Sequence, residues 1–447
     1  MKNLFLYLFA ALAMTACTNE EFIELSETQA NNDVVVDSFY VPYETALQYA
    51  LEAIDNVNST TTRTIVQTRK VANHYEYVAN KMTRSASDDV EVRFHVINFE
   101  DNKGFALVSA DSRTTPVYAY SETGNIDIDN AIENSGFGDF MEAAEEYYIM
   151  ETSSGGSIGG PVLPKDPTLP IIPVPTNPIL MLPIVEFNGV NYYLDGSDVS
   201  CTNPGGVLLD VEWHQDWPYN YYCGTNNNAG MYAGYRNRTG CGPIAAAQIM
   251  SYFKYPTSFG GYTFDWDKMN QRYYPADFSP RISEGAELVA RLVNLIGIEG
   301  RAIYGTETST HMDDMDDMFR AFGYSCNGPV NYDASKVKAS LDNSYPVYFR
   351  GQENLNSEFG HSWVIDAYKQ RKVTYIYYHM QEPYDVYKTI VTYGDIYYHC
   401  NWGFINNDNS DYYLTGNLNG WYLDVFGVDG NEFSTLRQMI YNIRPNN

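Results

Sequence analysis

Three features of the sequence predict an α+β protein in two parts. A proline-rich stretch interrupts the chain at 153–183. Ahead of it, one amphipathic helical pattern is followed by alternating strand patterns. Behind it, helical segments come first and strands follow, which segregates helices from sheet instead of alternating them.

The front part reads as a small α+β module. Ala46, Leu47, Ala50, Leu51 and Ile54 mark one helical face. Val90, Val92, Phe94 and Val96 alternate with polar residues as a half-buried strand. Asp101-Asn102-Lys103-Gly104 turns the chain into a return strand at 105–109. A second amphipathic helix is expected over 140–150. His74 and His95 are read as structural residues without partners. In the interruption, Pro161, Pro164, Pro167, Pro170 and Pro173 recur every third residue, the period of a polyproline II rod. This marks a spacer and a domain boundary. The rear part predicts helices at 242–255, 284–296 and 313–322, then strands at 347–350, 362–368, 373–379 and 389–401.

The acid excess, 56 Asp+Glu against 28 Lys+Arg, excludes a general nucleic-acid binder, which needs a basic footprint. Lys2, an apolar run from Leu4 to Met14 and Thr15-Ala16-Cys17 read as a signal peptide. The run is too short to span ~30 Å of hydrocarbon. Cys17, followed by Asn19-Glu20-Glu21, resembles the lipidated residue of a bacterial surface lipoprotein. The expectation is an exported protein held at the outer membrane or cell surface by a lipid at Cys17, its mature domain open to release. Without Cys17, five cysteines remain: 201, 223, 241, 326 and 400. An odd number in an oxidising compartment points to a reactive thiol. Cys201 and Cys223 are close enough in sequence to pair, but spacing does not decide it. No Cys-x-x-Cys pair and no Asp-x-Asp-x-Asp-Gly loop occurs. No metal or other cofactor is therefore expected, and Asp313, Asp314, Asp316 and Asp317 are read as carboxylates favoured in a first helical turn.

Cys241 is the candidate nucleophile. Gly240 and Gly242 flank it, Pro243 suits a first helical turn, and Ala245, Ile249, Tyr252 and Phe253 share one face beyond. A thiol at a helix start meets the positive end of the dipole, which favours thiolate. It needs an imidazole to take and return a proton. His311, His361, His379 and His399 all lie downstream, and spacing does not choose among them. Local context favours His361, which follows Gly360 at a strand start. Asn401 is placed to orient the imidazole, with Trp402 shielding that bond. Gln215 supplies a side-chain donor for an oxyanion hole, with the Cys241 backbone N–H as the second. His214 beside it is read as non-catalytic.

These pieces resemble the streptopain family of papain-like cysteine peptidases. The matching motifs are Trp213-x-Gln215-x-x-Pro218-Tyr219-Asn220, Gly240-Cys241 with Ala247-Gln248-Ile249-Met250, Gly360-His361-x-x-Val364-Ile365-Asp366, and Asn401-Trp402-Gly403. They fall in the family's order. Asn98-Phe99-Glu100 to Gly104-Phe105 and Val108-Ser109-Ala110-Asp111-x-Arg113 are similar to its inhibitory prodomain. The resemblance implies a papain-like peptidase domain preceded by a small α+β prodomain: 1–17 signal peptide, 18–152 prodomain, 153–188 linker and 189–447 peptidase. It implies Cys241 as nucleophile, His361 as general base, Gln215 in the oxyanion hole, and Asn401 with Trp402 supporting the imidazole. The implied partners are protein or peptide substrates and the chain's own prodomain as intramolecular inhibitor. Contact with membrane is expected only through the lipid, and none with nucleic acid.

The sequence departs from the family in carrying Gly242-Pro243 after Cys241 and Phe404 where a second Trp is usual. Extra length at 370–393 is expected to form a Tyr-rich hairpin near the cleft. Activation is expected by cleavage within 153–200, where Lys165 is the sole basic residue up to position 190. Two other readings stand beside the peptidase: an inactive binding module on this fold, and a transglutaminase or amidase sharing Cys and His. The four roles together favour the peptidase, since a binding module has no need of them.

Overall fold

A computed structural model describes residues 39–55, 69–78, 92–126, 136–153, 182, 184–187, 190–229, 233–271, 282–352, 360–381, 383–403, 405–407, 414–417, 419–425 and 437–446. Cys17 and the signal segment, the prolines from 161 to 178, Phe404 and the Asp408–Asp411 turn lie outside these residues. Residues 39–447 form one compact unit.

Twelve antiparallel strands build one sheet across both parts of the chain. The front part supplies β1 (Val71–Val78), β2 (Val92–Phe99), β3 (Phe105–Ser109) and β4 (Val117–Ser121). Next come β5 (Ile184–Phe187), β6 (Val190–Thr202), β7 (Tyr324–Asn331), β8 (Val347–Gln352), β9 (Gly360–His379), β10 (Val386–Asn401), β11 (Gly420–Leu423) and β12 (Gln438–Pro445). The spatial order is β1-β2-β3-β4-β11-β10-β9-β8-β12-β7, with β6 on the far half of β9 and β5 on β6.

In the front part both faces of the sheet are covered. Strand residues alternate between faces. Phe94, Val96, Leu107 and Tyr118 therefore meet α2 (Gly136–Ser153) through Phe140, Met141 and Tyr148. Ile97, Phe99, Ala106 and Val108 meet α1 (Tyr43–Asp55) through Ala46, Ala50 and Ile54. The half-buried strand expected here is thus buried along 94–99. Its polar members are satisfied. His95 bonds the Val41 carbonyl at 2.8 Å and His74 at 3.0 Å, so the two histidines expected to stand alone are partners. Asn98 exchanges two bonds with Ile126, each 2.8 Å.

The rear part hangs helices on the sheet. α3 (Cys241–Phe253) is buried from Gly242 to Ser251, so it is a core helix. α4 (Glu284–Glu299) is capped by the Ser283 side chain accepting from Ala286 N. Val289, Leu292, Val293 and Ile296 form its buried stripe. α5 (Met312–Ala321) buries Met312, Met315, Met318 and Phe319. Its acidic face is neutralised by Arg301 on Asp314 and Arg320 on Asp316. Among the described residues no group of three or more His, Cys, Asp or Glu is placed to hold a metal ion. α6 (Ala334–Asp342) is capped by Asp333, which accepts from Ser335 N and Lys336 N.

β9 and β10 run together for most of their length, from Val364 opposite Asn401 at one end to Tyr378 opposite Val386 at the other. The Tyr-rich extension pairs with β6 along 369–379. This corrects its expected place near the cleft. At ~3.3 Å per residue, Gln370 already lies roughly 30 Å along the strand from His361. The direction of the strand carries the insertion away from the site.

Asp366 anchors the middle of β9. It is fully buried; Oδ1 lies 2.6 Å from His399 Nδ1 and Oδ2 accepts from Leu209 N at 3.0 Å. Asp366→Ala orphans two buried polar groups and is expected to cost about 3 kcal/mol, read as a lower urea midpoint. Asp366→Asn, which keeps one acceptor oxygen in place, is expected to lose less.

Candidate active site

The backbone turns at Gly240, with φ +88°, and α3 begins on Cys241. Gly242 packs where a Cβ would fall 2.3 Å from Thr310 Oγ1 and 2.8 Å from the Tyr348 hydroxyl. The glycines on either side of the thiol thus have separate causes, a left-handed turn and a close approach.

β8 and β9 bring the imidazole to it. Gly351 is opposite His361 and Arg350 opposite Ser362. The Cys241 sulfur lies 3.9 Å from the Gly360 carbonyl, one residue before His361. Burial alone raises this thiol, but His361, by charge and hydrogen bond, the Ser362 backbone N–H and the Arg350 charge outweigh it. Cys241 is held below the usual thiol range. All five described cysteines are free thiols, so Cys201 and Cys223 are not joined. Burial pushes Cys223 and Cys326 up to about 12, and raises Cys400 as well.

Two of the other candidate histidines have partners of their own. His311 precedes α5, His379 packs on Tyr192 and Tyr387, and His399 belongs to Asp366. His214 is buried, which lowers it to about 4. Its Nδ1 accepts from Asp216 N at 3.3 Å.

Two supporting residues act differently from expectation. His361 Nε2 lies 2.9 Å from the Trp402 backbone carbonyl. The Asn401 amide instead donates to Val211 O at 2.8 Å and accepts from Gly403 N at 3.2 Å. Asn401 therefore shapes the turn that presents the carbonyl, and does not bond the imidazole. Val211 and Gly403 are the nearer partners once the strand ends. The Trp402 indole packs on Trp363 and Tyr422, at centroid distances of 4.9 and 5.0 Å. The ring stacked along His361 is Trp363, at 6.3 Å and 18°. The sequence carries a signal for it: two residues after His361 in a strand is the same face.

Gln215 is half-buried, and its carbonyl accepts from Thr239 N at 3.0 Å, two residues before Cys241. Among the described residues its side chain takes no hydrogen bond, which leaves the amide available to a ligand. Trp213 N donates to Gln248 Oε1 at 3.1 Å and ties this segment to α3. Arg350, Tyr348 and Thr310 carry no signal in the sequence, because only tertiary packing, of β8 and of the segment before α5, brings them to the start of α3.

The sequence profile of the Peptidase C10 family matches residues 213–413, a span that holds Gln215, Cys241, His361 and Asn401. Residues 213–413 thus carry a Peptidase C10 domain. A second profile, that of the Spi protease inhibitor, matches residues 33–149. The C10 domain, a cysteine-peptidase domain, therefore follows an inhibitor-type domain. Over 391 residues the chain is 22% identical to the thiol protease/hemagglutinin PrtT of Porphyromonas gingivalis. That match covers 80% of this chain but 38% of PrtT, so the chain spans well under half the length of that relative. The fold is similar to a fragment of Prevotella intermedia prointerpain A, with TM-score 0.50 and 18% identity, covering 85% of this chain and 100% of the fragment.

Proposed function

We propose that the chain is an exported cysteine endopeptidase made as a zymogen, with Cys241 as nucleophile. One observation carries this reading: Cys241 sits at the start of α3 beside His361, with its thiol drawn below the ordinary range while other buried cysteines are pushed above it. In the proposed reaction the Cys241 thiolate attacks the scissile carbonyl carbon. The oxyanion that forms is met by the Gln215 amide and the Cys241 backbone N–H. The His361 imidazolium gives its proton to the leaving amine as the C–N bond breaks. Neutral His361 then takes a proton from water, which attacks the thioester and returns the free thiolate.

The front domain is proposed as the intramolecular inhibitor, docked through the β4–β11 pairing. Residues 1–17 are proposed as a signal peptide with Cys17 lipidated, on the pattern of Lys2, Leu4–Met14 and Cys17. The boundaries proposed for the rest are 18–152, 153–188 and 189–447. Strand pairing at 184–187 and 190–202 withdraws those peptide bonds from a protease cleft. Activation cleavage is therefore proposed within 154–183.

The test uses the chain without residues 1–17, incubated under reducing conditions with and without the thiol-peptidase inhibitor E-64. The expected result is casein cleavage, a loss of roughly 15–20 kDa (a domain plus linker) and an N-terminus within 154–183, all blocked by E-64. A chain that stays full length and inert, even after limited trypsin, overturns the reading in favour of a binding module.

A further inference from the structure

We propose that Asn419 is a positioning residue for His361 and couples the front domain to the catalytic imidazole. This rests on the peptidase reading above and deepens it by naming a route of regulation.

Three consecutive hydrogen bonds carry it. The Ser121 hydroxyl, at the end of β4 in the front domain, lies 2.7 Å from both the Asn419 and the Thr123 backbone carbonyls and shares its one proton between them. The Asn419 side-chain Oδ1 accepts from Trp402 N at 3.0 Å. The Trp402 carbonyl is the atom 2.9 Å from His361 Nε2. Asn419 thus grips the front domain with its main chain and the catalytic turn with its side chain.

The surroundings make these bonds decisive for the corner's position. Asn419 leads directly into β11, and Gly420 is opposite Cys400, one residue before Asn401. A Cβ at Gly420 would fall 2.7 Å from the Tyr120 carbonyl and 2.9 Å from Ser121 Cβ. The front domain's last strand therefore lies directly against this corner. A cavity of about 220 Å³ adjoins it, lined by Ser121, Glu122, Glu212, His399, Asn401 and Asn419. Trp402 itself is fully buried against Trp363 and Tyr422, so packing fixes its ring while the hydrogen bonds set the orientation of its backbone.

The physical consequence concerns charge. A carbonyl accepting from Nε2–H stabilises the imidazolium form and, through it, the thiolate partner. That carbonyl belongs to the Trp402–Gly403 peptide, whose N–H is held by Asn401 Oδ1; Asn419 holds the preceding Asn401–Trp402 peptide, so loss of its bond frees the turn at the Trp402 Cα and lets the carbonyl dipole swing away. The charged groups facing the pair are Arg350 on β8 and the thiolate itself; Tyr348 also contacts the site. None of these moves with residue 419.

The test measures iodoacetamide alkylation of Cys241 against pH in the full chain, with a Cys241→Ala blank for the other thiols. Wild type is expected to keep a low midpoint. Asn419→Ala is expected to raise it by about one pH unit, the loss of one hydrogen bond to a charged form. Asn419→Asp keeps the acceptor oxygen and is expected not to raise it. Ser121→Ala, remote from the imidazole, is expected to raise it by a smaller amount. A folded Asn419→Ala with the wild-type midpoint overturns the positioning role, and a Ser121→Ala curve superimposed on wild type overturns the coupling. An ordinary thiol midpoint in wild type overturns the underlying peptidase reading instead.

Discussion

Cys241→Ala is expected to abolish both casein cleavage and self-processing, by at least ~10⁴-fold, and to leave the chain at full length. Two facts make the loss total and the fold safe. The other described cysteines sit elsewhere, and burial raises Cys223, Cys326 and Cys400 away from the thiolate form. The features that start α3, the left-handed Gly240 and the close-packed Gly242, stay in place. A melt matching wild type beside an inert gel lane is the expected pair of results. Cleavage within tenfold of wild type would remove Cys241 from the reaction.

His361→Gln is expected to show a second, separable loss. Cleavage falls by a similar factor, because His361 is the imidazole that interacts with the Cys241 thiol, while His399 is engaged by Asp366 and His379 packs on Tyr192. The thiol also changes. Burial raises the Cys241 pKa, and it is His361, followed by Ser362 and Arg350, that brings it below the usual range. Without the imidazolium the raising influence of burial prevails. The alkylation midpoint then moves up by about one pH unit or more, and at pH values well below the wild-type midpoint the thiolate fraction falls by about tenfold or more. The Arg350 charge and the Ser362 N–H remain, so a midpoint unchanged in this variant would assign the depressed thiol to them and not to His361.

Much of this site is legible in the sequence because its chemistry is local. A cysteine between two glycines before an apolar helical face specifies a helix-start thiol within a dozen residues. Gln215 stands out beside a turn-forming Trp217-Pro218, and His361 after Gly360 at a strand start. The sequence points to Asn401 for the imidazole because an amide oxygen is a natural acceptor. In the fold that oxygen accepts from Gly403 and the amide reaches back to Val211, so a main-chain carbonyl takes the place expected for it. A backbone carbonyl is common to every residue and leaves no mark in a sequence. Nor is the pairing of His74 with His95 readable there, since it needs the register of β1 on β2.

Local sequence thus specifies the two-part organisation, the helix that presents Cys241, and the residue types able to take each catalytic role. These depend on capping, turn chemistry and apolar periodicity, which act over a few positions. Three things wait for long-range contacts: which histidine meets the thiol, what holds that histidine, and how the front domain meets the peptidase. Those are settled by register and burial between segments such as β4 and β11, some 300 residues apart, where Trp421 faces Tyr120. Such a pairing is stabilised by the shared core of both parts and by no local preference, so it exists only once the whole sheet has closed.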